Sequence, residues 1–160
     1  MSDSQTLENR LYDELEVGDS ASLSRSVTEQ DIALFAHLSG DVNPAHMDPE
    51  FAENTMFKGV IVHGMWTAGL VSAVLGTKLP GPGAIYLEQS VQFRKPVKPG
   101  DTITATVEVQ EKGRRGRITL HCTAHNQDGV EVLRGTALVA APTEKISRQA
   151  VAIPRVSVEP

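Results

Sequence analysis

The run His-Gly-Met-Trp-Thr-Ala-Gly-Leu-Val-Ser-Ala-Val-Leu, residues 63–75, carries no Asp, Glu, Lys or Arg. A helix that is apolar on nearly every side has to be buried. The run therefore predicts a central helix, enclosed by the rest of the chain. Its small residues, Gly64, Ala68, Gly69, Ser72 and Ala73, allow a wrapping sheet to come close.

Downstream of this run the period becomes that of strands. Residues 84–94, 101–111, 117–126 and 131–141 are four such runs, separated by Lys98-Pro99-Gly100, by residues 113–116 and by Asp128-Gly129, all turn signals. Upstream, residues 20–27 alternate polar and apolar, with Ala21 and Leu23 on one side, and read as a first strand. Thr28 then caps a helix, with Asp31 three residues on in a capping-box place. Ile32, Phe35, Ala36 and Leu38 are expected on its buried face, and Ser39-Gly40 stops it. Residues 40–49 are irregular, punctuated by Asn43-Pro44 and Asp48-Pro49, and Pro49 opens a short helix over 50–56. Residues 60–62 are a short apolar approach to the central helix.

The order is strand, helices, a buried helix, then four long antiparallel strands. That is an α+β fold with one apolar helix inside a curled sheet. The domain is expected over 15–141, between an N-terminal tail, 1–14, and a tail or linker, 142–160, which is polar with scattered Val, Ile and Pro.

Composition excludes several classes of function. The chain has 160 residues, suited to one domain, with 40% hydrophobic and 22% charged residues, ordinary for a globular protein. A net charge of −5 argues against nucleic acid as the main partner. No apolar run reaches membrane-spanning length, and residues 1–10 have no apolar core of the kind a signal peptide needs. The single cysteine, Cys122, excludes an internal disulfide and fits a reducing compartment, so a cytoplasmic location is expected.

The segment with the most chemistry is FAHLSGDVNPAHMDPEF, residues 35–51, followed by IVHGMW, residues 61–66. A carboxylate, Asp41, and an imidazole, His46, five residues apart in a Pro-punctuated loop can converge on one water. Histidine titrates near neutrality and can exchange a proton at working pH. Gly64, at the start of the buried helix, offers an unpaired backbone N–H at the positive dipole end, where an oxyanion would be stabilised. Taken singly these features are ordinary: an Asp and a His in a turn are usually solvated or capping groups, and a glycine at a helix start is usually there for packing.

Together the pieces resemble the MaoC-like branch of the hotdog superfamily, the (R)-specific enoyl-CoA hydratases. The S-G-D-x-N-P-x-H string spans residues 39–46. The stretches LPGPGAIYLEQSVQFRKPV, residues 79–97, and KPGDTITATVEV, residues 98–109, resemble the family's second half. The resemblance covers about residues 15 to 140. It implies a hotdog fold and a homodimer. It implies (R)-specific hydration of trans-2-enoyl-CoA, reversible as dehydration, with Asp41 and His46 as catalytic pair, the Gly64 N–H as oxyanion donor and Ser72 beside the pair. It implies no cofactor beyond the coenzyme A carried by the substrate. The residues beyond 142 resemble linkers that join a MaoC-like domain to a phosphate acyltransferase domain, so the chain is also considered as one domain of a longer protein.

Asn43, Ser72, Trp66 and Arg94 are the further candidates for substrate binding. Arg94, Lys95, Lys98, Arg114, Arg115 and Arg117 are basic against an acidic background, and some can hold the phosphates of coenzyme A; solvated strand ends are the alternative. Met65, Trp66 and Leu75 on the central helix would shorten the acyl tunnel and favour short chains. His63 is either an orienting or a packing residue, and His37 is expected on the solvated side of its helix. A metal site at His121, Cys122 and His125 is not expected, because strand alternation puts Cys122 on the face opposite both histidines.

Three rival functions compete. A hotdog thioesterase would carry a carboxylate on the central helix, and residues 64–75 have none. A non-catalytic acyl-thioester-binding module would not need both Asp41 and His46. A dehydratase on acyl-carrier-protein substrates would use the same chemistry on a different carrier.

Overall fold

The computed structural model describes residues 5–159. The first four residues of the expected N-terminal tail and the last of the C-terminal one lie outside that range. In chain order the elements are β1 (Thr6–Glu8), β2 (Ser20–Ser26), α1 (Glu29–Ser39), α2 (Pro44–Met47), α3 (Pro49–Glu53) and α4 (Gly64–Thr77), then β3 (Ile85–Phe93), β4 (Thr102–Lys112), β5 (Arg117–His125), β6 (Glu131–Ala140) and β7 (Ser147–Gln149).

Five strands form one antiparallel sheet in the order β2-β4-β5-β6-β3. Strand alternation sends one row of each strand inward. Ile103, Ala105, Val107 and Val109 of β4, and Ile118, Leu120, Cys122 and Ala124 of β5, are all 0% exposed. Helix α4 lies on this row and buries Thr67, Ala68, Leu70, Val71, Val74 and Leu75 against it. Each fully buried Val or Leu contributes roughly 1.5–3 kcal/mol, so the helix and sheet hold one another. This is the α+β hotdog arrangement that the sequence implied. Cys122 points into the core and His121 and His125 to the other side, as alternation requires.

Helix α1 forms where its caps predict. Thr28 Oγ1 accepts from the Asp31 N–H at 3.2 Å, and the Thr28 N–H donates to the Asp31 carboxylate at 2.8 Å. Gly40, at φ 76°, ends the helix in the left-handed conformation that glycine adopts without a Cβ penalty. Ile32 and Ala36 are buried, but Leu38 is 82% exposed, against expectation. It lies six residues past Ile32, about one and two-thirds turns on, which places it on the far side of the helix.

One expectation needs correction. The central helix is not enclosed on every side: Met65, Gly69, Ser72 and Gly76, spaced by four, three and four, form an open stripe. The sheet covers one side of α4, and among the described residues nothing covers this stripe. The two expected tails also meet. β1 pairs with β7, and Asn9, 1% exposed, ties them together. Its Nδ2 donates to Pro82 O at 2.9 Å and to Glu144 O at 2.7 Å, and its Oδ1 accepts from the Ile146 N–H at 3.0 Å. Lys145 bonds the Glu14 carboxylate at 2.8 Å and holds it below the usual carboxylate range. Gln30 Nε2 donates to Val156 O, tethering the last segment to α1. Strands of three residues are too short to show a period, and their pairing joins opposite ends of the chain.

Candidate active site

The loop after α1 is organised by its own side chains. The Asp41 N–H donates to Ser39 Oγ at 3.1 Å, and the Asn43 N–H donates to Asp41 Oδ1 at 3.2 Å. Asn43 Oδ1 accepts from the Ala45 N–H at 3.0 Å, which starts α2 with Pro44 in its first turn. This turn carries His46 back toward Asp41. The segment leading into α4 clamps it there. The Ile61 N–H donates to Ala45 O at 3.2 Å, and His46 Nδ1 bonds Ile61 O at 2.7 Å. A carbonyl can only accept, so neutral His46 carries its proton on Nδ1, and Nε2 keeps a free lone pair.

His63 is the N-cap of α4 and is 2% exposed. Its Nε2 lies 2.9 Å from the main-chain oxygen of Asp41, so this nitrogen is the donor. Its ring packs against both Phe35, at a centroid distance of 4.7 Å, and His46, at 4.1 Å. Ligating atoms of Asp41, His46 and His63 lie within 4.8 Å of one another. The two imidazoles are tilted at 32° to one another, and each already spends one ring nitrogen on a main-chain oxygen.

These groups open into a cavity of about 390 Å³. Phe35, Phe57, Ile61, Met65 and Phe93 make it apolar, Asp41 is the only carboxylate along it among the described residues, and Arg94 and Lys95 supply positive charge. Gly64 lies in its wall as the first residue of α4. The N–H groups of Gly64 and Met65 take no protein partner among the described residues, as expected in a first helical turn. A Cβ at Gly64 would stand 2.8 Å from the Phe93 ring, so a side chain there would displace the aromatic wall. The cavity is thus a partly apolar slot with an acid, a base and a free N–H at one end.

A second hollow, about 460 Å³, lies farther along α4 and shares Phe35 and Met65 with the first. Gly69, Ser72, Tyr86, Leu87 and Gln89 line it. The Tyr86 hydroxyl donates to Gln89 Oε1, and burial, with the neighbouring Cys122 thiol adding to it, pushes Tyr86 up to about 12.

Of the residues singled out in the sequence, Asp41, His46, Gly64 and Arg94 come together in the first cavity. Ser72 does not stand beside the pair. It is eight residues past Gly64, roughly 12 Å along the helix, and lines the second hollow. Asn43 is occupied in capping α2. Trp66 lines neither hollow and packs against the core, and Leu75, 2% exposed, is part of that core. Of the three bulky residues expected to shorten the acyl tunnel, only Met65 faces the cavities. Arg114, Arg115 and Arg117 line neither of them. Thr67, Phe57 and Phe93 were not anticipated at the site, and no local signal marks them; they come from α4, the segment before it and β3, which meet only in the fold.

Residues 16–130 match the family described as MaoC like domain. The chain is 47% identical over 131 residues to the (R)-specific enoyl-CoA hydratase of Rhodospirillum rubrum, covering 82% of this chain and 91% of that protein. It is 46% identical over 135 residues to the 3-hydroxybutyryl-CoA dehydratase of Methylorubrum extorquens, covering 84% and 85%. Among solved structures, the unliganded R-hydratase PhaJ1 from Pseudomonas aeruginosa superposes with a TM-score of 0.91 at 42% identity, covering 97% of this chain and all (100%) of that one.

Proposed function

The chain belongs to the MaoC-like family, and from that premise we propose that it hydrates trans-2-enoyl-CoA to (R)-3-hydroxyacyl-CoA, reversibly, with Asp41 and His46 as its acid–base pair. The observation that carries this reading is the free Nε2 of His46. Its Nδ1 bonds Ile61 O, and a ring nitrogen of His46 and a carboxylate oxygen of Asp41 lie within 4.8 Å of each other in the wall of an apolar cavity.

One water held by Asp41 and His46 adds its oxygen to the β-carbon. The proton left on the pair goes to the α-carbon, so the elements of water are added and no net proton is gained or lost. The electron density that builds on the thioester oxygen between these steps is met by the Gly64 N–H at the positive end of α4. Arg94 and Lys95 attract the phosphates of coenzyme A. The acyl tail leaves past Met65 toward the second hollow. No helix among the described residues is long and apolar enough to cross a membrane, in keeping with the cytoplasmic location we infer.

The same reading includes a homodimer. β3 is an edge strand with Ile85 60%, Leu87 40% and Phe93 53% exposed, beside the uncharged open stripe of α4. An unpaired apolar edge is a liability that pairing with a second copy removes. The two-domain alternative, with a phosphate acyltransferase beyond residue 160, is carried by no observation in the fold.

The test is a direct assay on crotonyl-CoA, following both the conjugated double bond and free thiol. Loss of the double bond and an (R) product are expected. Thiol release would favour a thioesterase, and an (S) product would defeat the assignment. Light scattering at micromolar concentration is expected to give twice the chain mass.

A further inference from the structure

Two polar atoms in the wall of the first cavity have no partner among the described residues, His63 Nδ1 and Thr67 Oγ1. Both residues are 2% exposed, and both line the cavity. The hydration chemistry uses neither. Buried polar atoms are nearly always satisfied by protein, water or ligand, because leaving them bare costs free energy. A threonine inside a helix ordinarily turns its hydroxyl back to the carbonyl four residues earlier. Thr77 does so, to Ala73 O at 2.6 Å. Thr67 stands in the same relation to His63 and makes no such bond; its hydroxyl is free to serve the cavity wall. His63 caps α4 and Thr67 lies one turn on, and both line the same cavity, which puts the two unpartnered atoms on one wall.

We propose that His63 is a positioning residue for Asp41, held in its Nε2–H form by one buried water that Nδ1 and Thr67 Oγ1 share. This rests on reading Asp41 and His46 as the acid–base pair. The water donates to Nδ1, so the imidazole proton stays on Nε2. Nε2 donates to the Asp41 carbonyl at 2.9 Å and pins the turn that aims the carboxylate. The ring, in contact with Phe35, gives His46 the surface it packs against. One side chain thereby sets the relative position of both reacting groups.

The experiment compares His63→Gln, His63→Asn and Thr67→Val with the native protein in steady-state hydration of crotonyl-CoA, with circular dichroism and thermal unfolding to establish the folded fraction. Glutamine places an amide nitrogen near the position of Nε2; asparagine places one only near Nδ1. His63→Asn is expected to lower kcat roughly 10- to 100-fold with KM within about twofold, the signature of misplaced reacting groups. His63→Gln is expected to stay within about fivefold of native kcat, since it restores the donor to Asp41. Thr67→Val should lower kcat by a smaller factor than His63→Asn. Equal losses in the two His63 variants, a loss confined to KM, or native kcat in Thr67→Val would overturn the proposal. A crystal structure of the unliganded protein should show a water within about 3.2 Å of both atoms; a protein group in that place would overturn the shared-water link. Asp41→Asn run in parallel separates the two levels. If it stays active, the acid–base reading fails; if it is inactive while His63→Asn is native-like, only the positioning role fails.

Discussion

The two hollows that flank Met65 are built on one helix and share Phe35 and Met65 as walls, yet they differ in how they are completed. The first is furnished from within the chain. α2 and the segment before α4 clamp His46, the Asp41 turn is held by its own side chains, and α4 presents its first N–H groups. The second has small, uncharged residues on α4 facing an edge strand, and its outer side is open. The first has the convergent polar groups that chemistry needs. The second has the shape of a surface waiting for another surface.

That contrast can be broken most sharply at the first hollow. Asp41→Asn and His46→Gln keep size and most hydrogen bonding while removing proton transfer. Each should lower kcat by about 10²–10⁴-fold with little change in KM. On the proposed mechanism, in which both groups serve one water, the double variant should be scarcely worse than either single one. A double variant with near-native turnover would show that the cavity is not where the reaction occurs.

Gly64→Ala tests the wall. It leaves the backbone N–H in place but sets a Cβ 2.8 Å from the Phe93 ring. Displacement of that wall by several tenths of an ångström should reduce kcat/KM by roughly tenfold or more. Unchanged kinetics would mean that Phe93 does not shape the site.

Gly69→Glu moves to the second hollow. Nothing lies within 4 Å of the Cβ it would add, and glutamate is the better helix former, so the single chain should keep its fold. In a two-fold dimer the new charge would be buried twice, once on each copy. Light scattering should report a shift toward monomer, while thermal unfolding at high salt and the far-ultraviolet spectrum stay close to native. A dimer of undiminished strength would remove the stripe from the interface.

Ser72→Ala should have the smallest effect. The side chain lies roughly 12 Å along α4 from Gly64 and lines the second hollow, so a change in kcat below about threefold is expected, against the 10²-fold or more expected at Asp41 and His46. A loss comparable to that of Asp41→Asn would show that an assembled second copy brings Ser72 to the reacting groups, and the two hollows would then be parts of one site.

Much of this was written in local patterns. Thirteen residues without a charged side chain marked α4, a threonine and an aspartate three apart marked the start of α1, and turns at Pro99-Gly100, Gly113 to Gly116 and Asp128-Gly129 separated β3 to β6. The Ser39–His46 string marked the loop that carries Asp41 and His46 because its Ser, Asp and Asn fold the backbone through bonds only two residues long. Such features are legible because the groups that interact are neighbours in the chain.

The tertiary structure alone decided which face of α4 stays open, that Ser72 stands apart from Asp41, and that His63 packs against both Phe35 and His46. It also decided that β1 finds β7 across nearly the whole chain. Each depends on groups from distant segments meeting at a set distance. A sequence states that a helix is apolar and how its residues are spaced around the axis. Which side is covered depends on where the sheet ends, and that is settled only when all five strands have paired.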